Sequence, residues 1–184
     1  MYSNEYFNQL TTRVQDYLVD QEVSVPRWKD AFEGRAVDEM LALYSQISRG
    51  IQALRVNVDE RDRQAITEEV ARRLIGLGVL QPYLDTEGIE EIIVRNGFVM
   101  TERDGQIQDE GFLADDDYFY RLSRRIAEME GKGLGSKDPK IKVGLPEGSR
   151  FAATIPPISR EGTAINIRRF ARKNRELQLP EERA

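Results

Sequence analysis

Between Tyr6 and Leu18 the apolar residues Tyr6, Leu10, Val14, Tyr17 and Leu18 recur at the three-and-four spacing of one helix face, and Ser3 stands where it can cap the first turn. After a break at Val25-Pro26, Trp28, Phe32, Val37, Met40, Leu41, Tyr44 and Ile47 keep a helical rhythm to about Ile51, with Gly34 and Gly50 as interruptions. A third helix is predicted from near Asp59, where the Asp-Glu-Arg-Asp run complements the positive end of a helix dipole. It uses Ile66, Val70, Leu74 and Ile75 and stops at Gly76 and Gly78.

The period then shortens. Ile89 to Val94 reads as a strand, Asn96-Gly97 as a two-residue hairpin turn, Phe98 to Thr101 as a second strand, and Asp104-Gly105 turns into a third at Gln106-Ile107. Asp115 to Asp117 cap a helix that carries Tyr118, Phe119, Leu122, Ile126 and Met129 on one stripe and ends at Gly131. Capping is favoured over a metal site for this acidic triplet, since no second carboxylate cluster lies nearby in sequence. Three more strands follow: Ile141 to Leu145, Arg150 to Ile155 after the turn at Pro146-Glu-Gly-Ser149, and Ala164 to Phe170. The fold class is therefore α+β, an N-terminal helical region followed by an antiparallel-sheet, sandwich-like β-β-β-α-β-β-β domain. The divisions expected are a helical region over 1–56, the α+β domain over 57–170, and a charged linker over 171–184.

Composition narrows the chemistry. The 184 residues include no Cys and no His, which removes thiolate nucleophiles, imidazole bases and the usual zinc ligands. Carboxylate, Lys and Tyr chemistry, oxygen-ligand metals and binding through Arg and Lys remain. No apolar run is long enough to cross a bilayer and the start lacks a signal pattern, so a cytoplasmic location is expected. The net charge of −5 conceals a split: residues 121–175 hold 14 Lys or Arg against 5 Asp or Glu, a surplus of nine, which leaves the remainder at −14. One face is thus expected to meet an anion or an acidic partner.

Candidate sites are few. Gly131-Lys-Gly-Leu-Gly-Ser-Lys137 looks like a phosphate loop but follows a helix instead of preceding one and lacks Gly-Lys directly before Ser or Thr, so it reads as a helix stop. Glu90 and Glu91 would point to opposite faces of a strand and cannot share a site. Alternation puts Arg150, Ala152 and Thr154 on one face and Phe151, Ala153 and Ile155 on the other, with Asn166 and Arg168 opposed to Ile165 and Ile167. A loop centred at Ser159 makes Arg150 and Arg168 direct cross-strand partners. Such a pair is either two screened surface cations or an anion site, because guanidinium forks bind phosphate bidentately. Nucleic-acid binding would call for exposed aromatics among the cations, and the window supplies only Phe151 and Phe170, the first on the apolar side.

Taken together, Gly76-Leu-Gly-Val-Leu-Gln-Pro-Tyr-Leu84, Ile89-Glu-Glu-Ile-Ile-Val-Arg-Asn-Gly97, Glu102-Arg-Asp-Gly105, Leu145-Pro-Glu-Gly-Ser-Arg150, Ile155-Pro-Pro157 and Ile167-Arg-Arg-Phe170 resemble, in order and spacing, the N-terminal domain of type II/IV secretion ATPases, most closely the CpaF-like motors of tight-adherence pili. The likeness runs from about Asp59 to Phe170. Departures are Val79 where the family has Pro, and Lys142 where an Asp is expected before the Leu-Pro segment.

The resemblance implies a hexameric motor in which this domain precedes a RecA-like ATPase domain that binds ATP and Mg2+. The chain itself carries no Walker A motif, so no catalytic residue, no metal ligand, no bound cofactor and no hydrolysis by this chain alone are expected. The implied nucleotide-binding residues are Arg150 and Arg168, reaching phosphates held by the adjoining domain. Expected partners are that domain, further copies of the motor, and inner-membrane secretion or pilus platform proteins that make it peripheral to the membrane; nucleic acid is not expected. The alternative is a stand-alone basic-faced adaptor or nucleic-acid-binding module.

Overall fold

The computed structural model describes residues 2–170; the linker expected over 171–184 lies outside the described residues. Helix α1 spans Asn4–Asp20, with the Ser3 hydroxyl accepting from the Tyr6 amide, and buries Leu10, Val14 and Leu18 on the predicted stripe. The second helical stretch is divided: α2 covers Trp28–Phe32 and α3 covers Val37–Ala53. Gly34, at φ +70°, makes the break. Gly50 makes none. It lies inside α3 because the Tyr17 ring occupies the place a side chain would take, with Cδ1 2.7 Å from an added Cβ.

Helix α4 covers Arg63–Ile75. The Asp59–Asp62 run forms the turn before it, where Asp59 accepts from the Arg61 amide at 3.0 Å. Although α4 lies on the sheet side of the boundary expected at residue 56, it packs against both α1 and α3. The chain then makes a 3-10 turn over Gly78–Leu80 and a short helix α5 over Gln81–Asp85, with Pro82 in its first turn, where a missing amide donor costs nothing.

Strands β1 (Glu91–Arg95), β2 (Phe98–Arg103) and β3 (Gln106–Phe112) form the expected meander, and helix α6 (Asp116–Met129) leads to β4 (Lys140–Gly144), β5 (Arg150–Thr154) and β6 (Ala164–Arg168). All six strands join one antiparallel sheet in the order β3-β2-β1-β6-β5-β4. The central β1–β6 pairing closes two meanders into one surface. One face carries Ile92, Val94, Val99, Ile141, Val143, Phe151, Ala153, Ile165 and Ile167, all buried, and this face shares a continuous core with the helices. At about 1.5–3 kcal/mol for each large apolar side chain taken from water, this shared core dominates the stability.

The acidic triplet caps α6. Asp115 accepts from the Tyr118 amide at 2.9 Å, Asp116 accepts from the Thr163 amide of the β5–β6 loop at 2.5 Å, and Asp117 pairs with Arg121 at 3.1 Å. The Gly-rich stretch after α6 stops the helix, with Gly131 at φ +66° and the Lys132 amide returning to the Ala127 carbonyl at 2.9 Å. Among the described helices none is long and apolar enough to cross a membrane.

Candidate functional site

The other face of the sheet is open, and its register arranges the polar residues in rows. Arg150 stands directly across from Arg168, and Arg168 across from Glu91 of β1. The next row runs Lys142, Ala152, Asn166 and Ile93, and the third runs Lys140, Thr154, Ala164 and Arg95. The basic half of this face is therefore Lys140, Lys142, Arg150 and Arg168 around a floor of Ala152, Thr154 and Ala164. Because β5 and β6 pair symmetrically about Ser159, the cross-strand partnership is the one alternation and loop centring predict.

Neither Arg150 nor Arg168 has a carboxylate partner among the described residues, and both are exposed. Glu91, the neighbour that could neutralise Arg168, instead accepts from the Asn166 amide at 2.8 Å, and Asn166 in turn accepts from Arg95 at 2.6 Å. Arg150 lies over the Phe170 ring, 5.3 Å from its centroid. That contact favours a guanidinium without neutralising it. The neighbouring Arg169 is differently employed: it donates to the carbonyls of Thr86 (2.5 Å) and Ile89 (3.2 Å), and its amide bonds the Glu90 carbonyl at 2.8 Å. Of the two adjacent arginines, only Arg168 stays available to a ligand.

The turn before β5 is closed by hydrogen bonds. The Leu145 amide reaches the Ser149 carbonyl at 2.7 Å, and the buried Ser149 hydroxyl donates to Glu147 at 2.8 Å. Beside it lies a cleft of about 650 Å3 whose lining includes five carboxylates, Asp85, Glu87, Glu90, Asp104 and Glu147, against one cation, Arg169, already bonded to backbone carbonyls. This density of carboxylates disfavours an anion in the cleft, so an anion would approach the arginine pair over the open face.

Two inward-turned arginines, Arg73 buried and Arg125 half-buried, carry structural work that the sequence pattern does not assign. Arg73, 2% exposed, donates to Glu69 at 2.7 Å, to Asn8 at 2.5 Å and to Asn4 at 3.0 Å, and lies 5.1 Å from the Phe7 ring centroid, tying α1 to α4. Arg125 of α6 donates to the carbonyls of Ile75 (2.9 Å) and Gly76, the unsatisfied end of α4. Burial lowers its pKa from the ordinary arginine value, against the opposing effect of Tyr118. Both residues fall three positions after a stripe residue, Val70 and Leu122, which is the signal that places them inward.

The Gly76-Leu77-Gly78 segment is the joint between helices and sheet. A side chain on Gly76 would meet Gln81, whose Oε1 accepts from the Leu77 amide at 2.9 Å. Gly78 has φ +57°, and a side chain there would collide with the Tyr118 hydroxyl, which accepts from the Val79 amide at 3.0 Å. The motif is thus required for close packing.

No family model matches the chain. It is 29% identical over 100 residues to an uncharacterised protein of Methanocaldococcus jannaschii, a stretch covering 52% of this chain and 14% of that protein. It is 26% identical over 103 residues to a protein of Mycobacterium tuberculosis provisionally named a conjugal transfer protein, covering 52% of this chain and 29% of the other. Among solved structures it resembles the VirB11 ATPase from the Brucella suis type IV secretion system, in complex with sulphate. That match has a TM-score of 0.50 and 26% identity, over 53% of this chain and 31% of that one. The likeness is to part of a secretion-system ATPase and of a conjugal transfer protein, and the chain spans less than a third of each of these three proteins.

Proposed function

We propose that this chain is the region preceding the catalytic domain of a secretion or pilus-assembly motor, and that it presents Arg150 and Arg168 to a nucleotide held by that domain. The observation that carries the reading is the arginine pair itself, placed in direct cross-strand register on an open face, with the nearest carboxylate engaged elsewhere. Like charges so placed repel one another, and a tetrahedral anion between them turns that repulsion into attraction. The likeness to part of a secretion ATPase supports the coarser reading of a secretion-motor region.

In this reading ATP with Mg2+ is bound by a RecA-like domain, and this chain supplies positive charge where phosphate oxygens gain negative charge during transfer. Arg168 is held in position by the β1–β6–β5 ladder, and Arg150 by the β4–β5 turn and the Phe170 ring. Movement of the sheet as a rigid body against the motor domain would couple nucleotide state to work. The finer reading places the motor as a hexamer of the tight-adherence pilus type, in the cytoplasm against inner-membrane platform proteins.

The test restores the following domain and compares ATP turnover of the parent with Arg168→Ala and Arg168→Lys. Loss of turnover on the order of a hundredfold or more in the alanine variant is expected from the effect of a positioned arginine. Unchanged turnover and assembly would remove Arg168 from the mechanism.

A further inference from the structure

A small polar pocket of about 190 Å3 lies where the helical part of the chain meets the sheet part. One wall is α1, and the other is built from α4, the 3-10 turn after it and α6. The volume is below the roughly 300–1,000 Å3 of pockets that hold drug-sized ligands, so an occupant is small. Three arginines line it, Arg73 from α4 and Arg121 and Arg125 from α6. Burial is the largest influence on the Tyr118 hydroxyl and raises its pKa, while the charges of Arg125, Arg73 and Arg121 all act on it in the opposite direction. The three cations thus converge on one hydroxyl at the pocket wall.

Several polar groups here are unused. Arg73 is neutralised by Glu69, and Arg121 meets the exposed Asp117 at 3.1 Å. Half-buried Arg125 has no carboxylate partner among the described residues, and its bonds to the Ile75 and Gly76 carbonyls leave most of its N–H donors unengaged. The Tyr118 hydroxyl accepts from the Val79 amide, and its own proton has no acceptor among the described residues. Thr11 lines the opposite wall, is 8% exposed, and its hydroxyl has no hydrogen-bond partner there. Buried polar groups are ordinarily paired, so this cluster calls for a ligand. Asp16, the one carboxylate of the lining, is exposed on α1, where the high dielectric of water weakens its field.

We propose that this pocket binds a small oxyanion, inorganic phosphate or the phosphoryl head of a small ester, with Arg125, Arg121 and the Tyr118 hydroxyl as its donors. Tyr118, Arg121 and Arg125 follow at the spacing of one face of α6, and Thr11 and Gln15 at that of one face of α1 on the other wall. Polar groups on two opposed walls suit the outward lone pairs of a tetrahedral group better than the single plane of a carboxylate. An anion beside Arg125 also offsets the cost of holding that charge away from water. Bound to both walls, the ligand ties α1 to α6 and strengthens the seat of the helical part on the sheet part. The inference does not depend on Arg150 and Arg168, which stand on the open face of the sheet, away from the helices.

The probes are inorganic phosphate, glycerol phosphate and acetate, each titrated into the whole chain at constant ionic strength and followed by backbone amide NMR shifts. Saturable shifts at Gln15, Val79 and Tyr118 are expected with the phosphates and weaker binding with acetate; tighter binding of the free ion or of the ester identifies the source of the phosphoryl group. Arg121→Gln and Gln15→Glu, both at exposed positions, should weaken binding about tenfold or more, the scale of a hydrogen bond to a charged group. Arg124→Gln, on α6 but outside the pocket, should leave it unchanged. Arg168→Ala should keep the shifts at Gln15 and Val79, which separates this site from the sheet face. Unchanged circular dichroism and Tm show that each variant is folded. Absence of saturation, shifts confined to the surroundings of Arg150 and Arg168, or acetate binding as tight as phosphate would overturn the proposal. So would affinity that survives both Arg121→Gln and Gln15→Glu, or that falls equally with Arg124→Gln.

Discussion

Arg150 and Arg168 are direct partners across the β5–β6 ladder, and Arg150 alone of the two rests on an aromatic ring, that of Phe170. In the absence of an anion this arrangement costs stability. Arg168→Ala is therefore expected to leave the isolated chain as stable as before or to stabilise it slightly, by no more than the ~1 kcal/mol scale of cross-strand pairs. Thermal unfolding at low and high salt checks the cause, since the gap should shrink as salt screens the pair. A substitution that stabilises the chain yet disables the parent motor is the signature of a residue kept for its ligand.

Gly78 and Tyr118 are coupled through a contact that admits no side chain. Gly78→Ala would be strained by φ +57° and would also press on the Tyr118 hydroxyl, so a loss of about 2 kcal/mol or more is expected in denaturant unfolding. Tyr118→Phe removes the colliding oxygen at the expense of the bond from the Val79 amide. The double variant should therefore be more stable than the sum of the two single losses predicts, and a double-mutant cycle measures the difference.

Periodicity and alternation are legible wherever one face is buried and the other is not, which is why α1, α4, α6 and the β5–β6 register follow from the sequence. Strand β3 is the opposite case. Its Gln106–Asp109 stretch is exposed on both sides at the sheet edge, so nothing alternates and only its first two residues read as strand. Gly50 reads as an interruption because its reason for being glycine, the Tyr17 ring, is supplied by another helix. The 3-10 turn and α5 are hidden behind Gly78 and Pro82, residues that announce a break in isolation. The arginine pair could be placed from local spacing alone, whereas the buried Arg73 and the half-buried Arg125 carry a charge that argues for the surface and a position that argues for the core. Position prevails because each guanidinium finds acceptors there.

Arg125 also yields a prediction. Its two bonds close the C-terminal end of α4 at the joint with the sheet, and Arg125→Met would leave the Ile75 and Gly76 carbonyls without donors in a buried place. A loss of about 2–4 kcal/mol is expected, on the basis of about 1–3 kcal/mol for each buried group left unsatisfied. Arg125→Lys should recover only part of it, because an ammonium cannot reproduce the fork that spans both carbonyls. Urea unfolding of the three proteins ranks them.

Alkaline pH should act through Tyr118. Burial, the largest cause, raises its pKa above the ordinary value of 10.0, against the lowering effect of the Val79 amide bond and of Arg125, Arg73 and Arg121. The folded state thus holds the phenol proton more tightly than the unfolded state does. The stability tied to this group is fully present below pH 10.0 and is lost as pH climbs through the higher folded value, since the unfolded chain releases its proton first. Tyr2, Tyr6 and Tyr83 shift in the same direction, so the whole chain loses stability in alkali. The specific expectation is that Tyr118→Phe is less stable than the parent at pH 8, and that the two unfolding curves converge above pH 10.0 as the parent loses its advantage. Parallel decline of both proteins, measured by thermal unfolding between those conditions, would assign the alkaline loss to the other tyrosines.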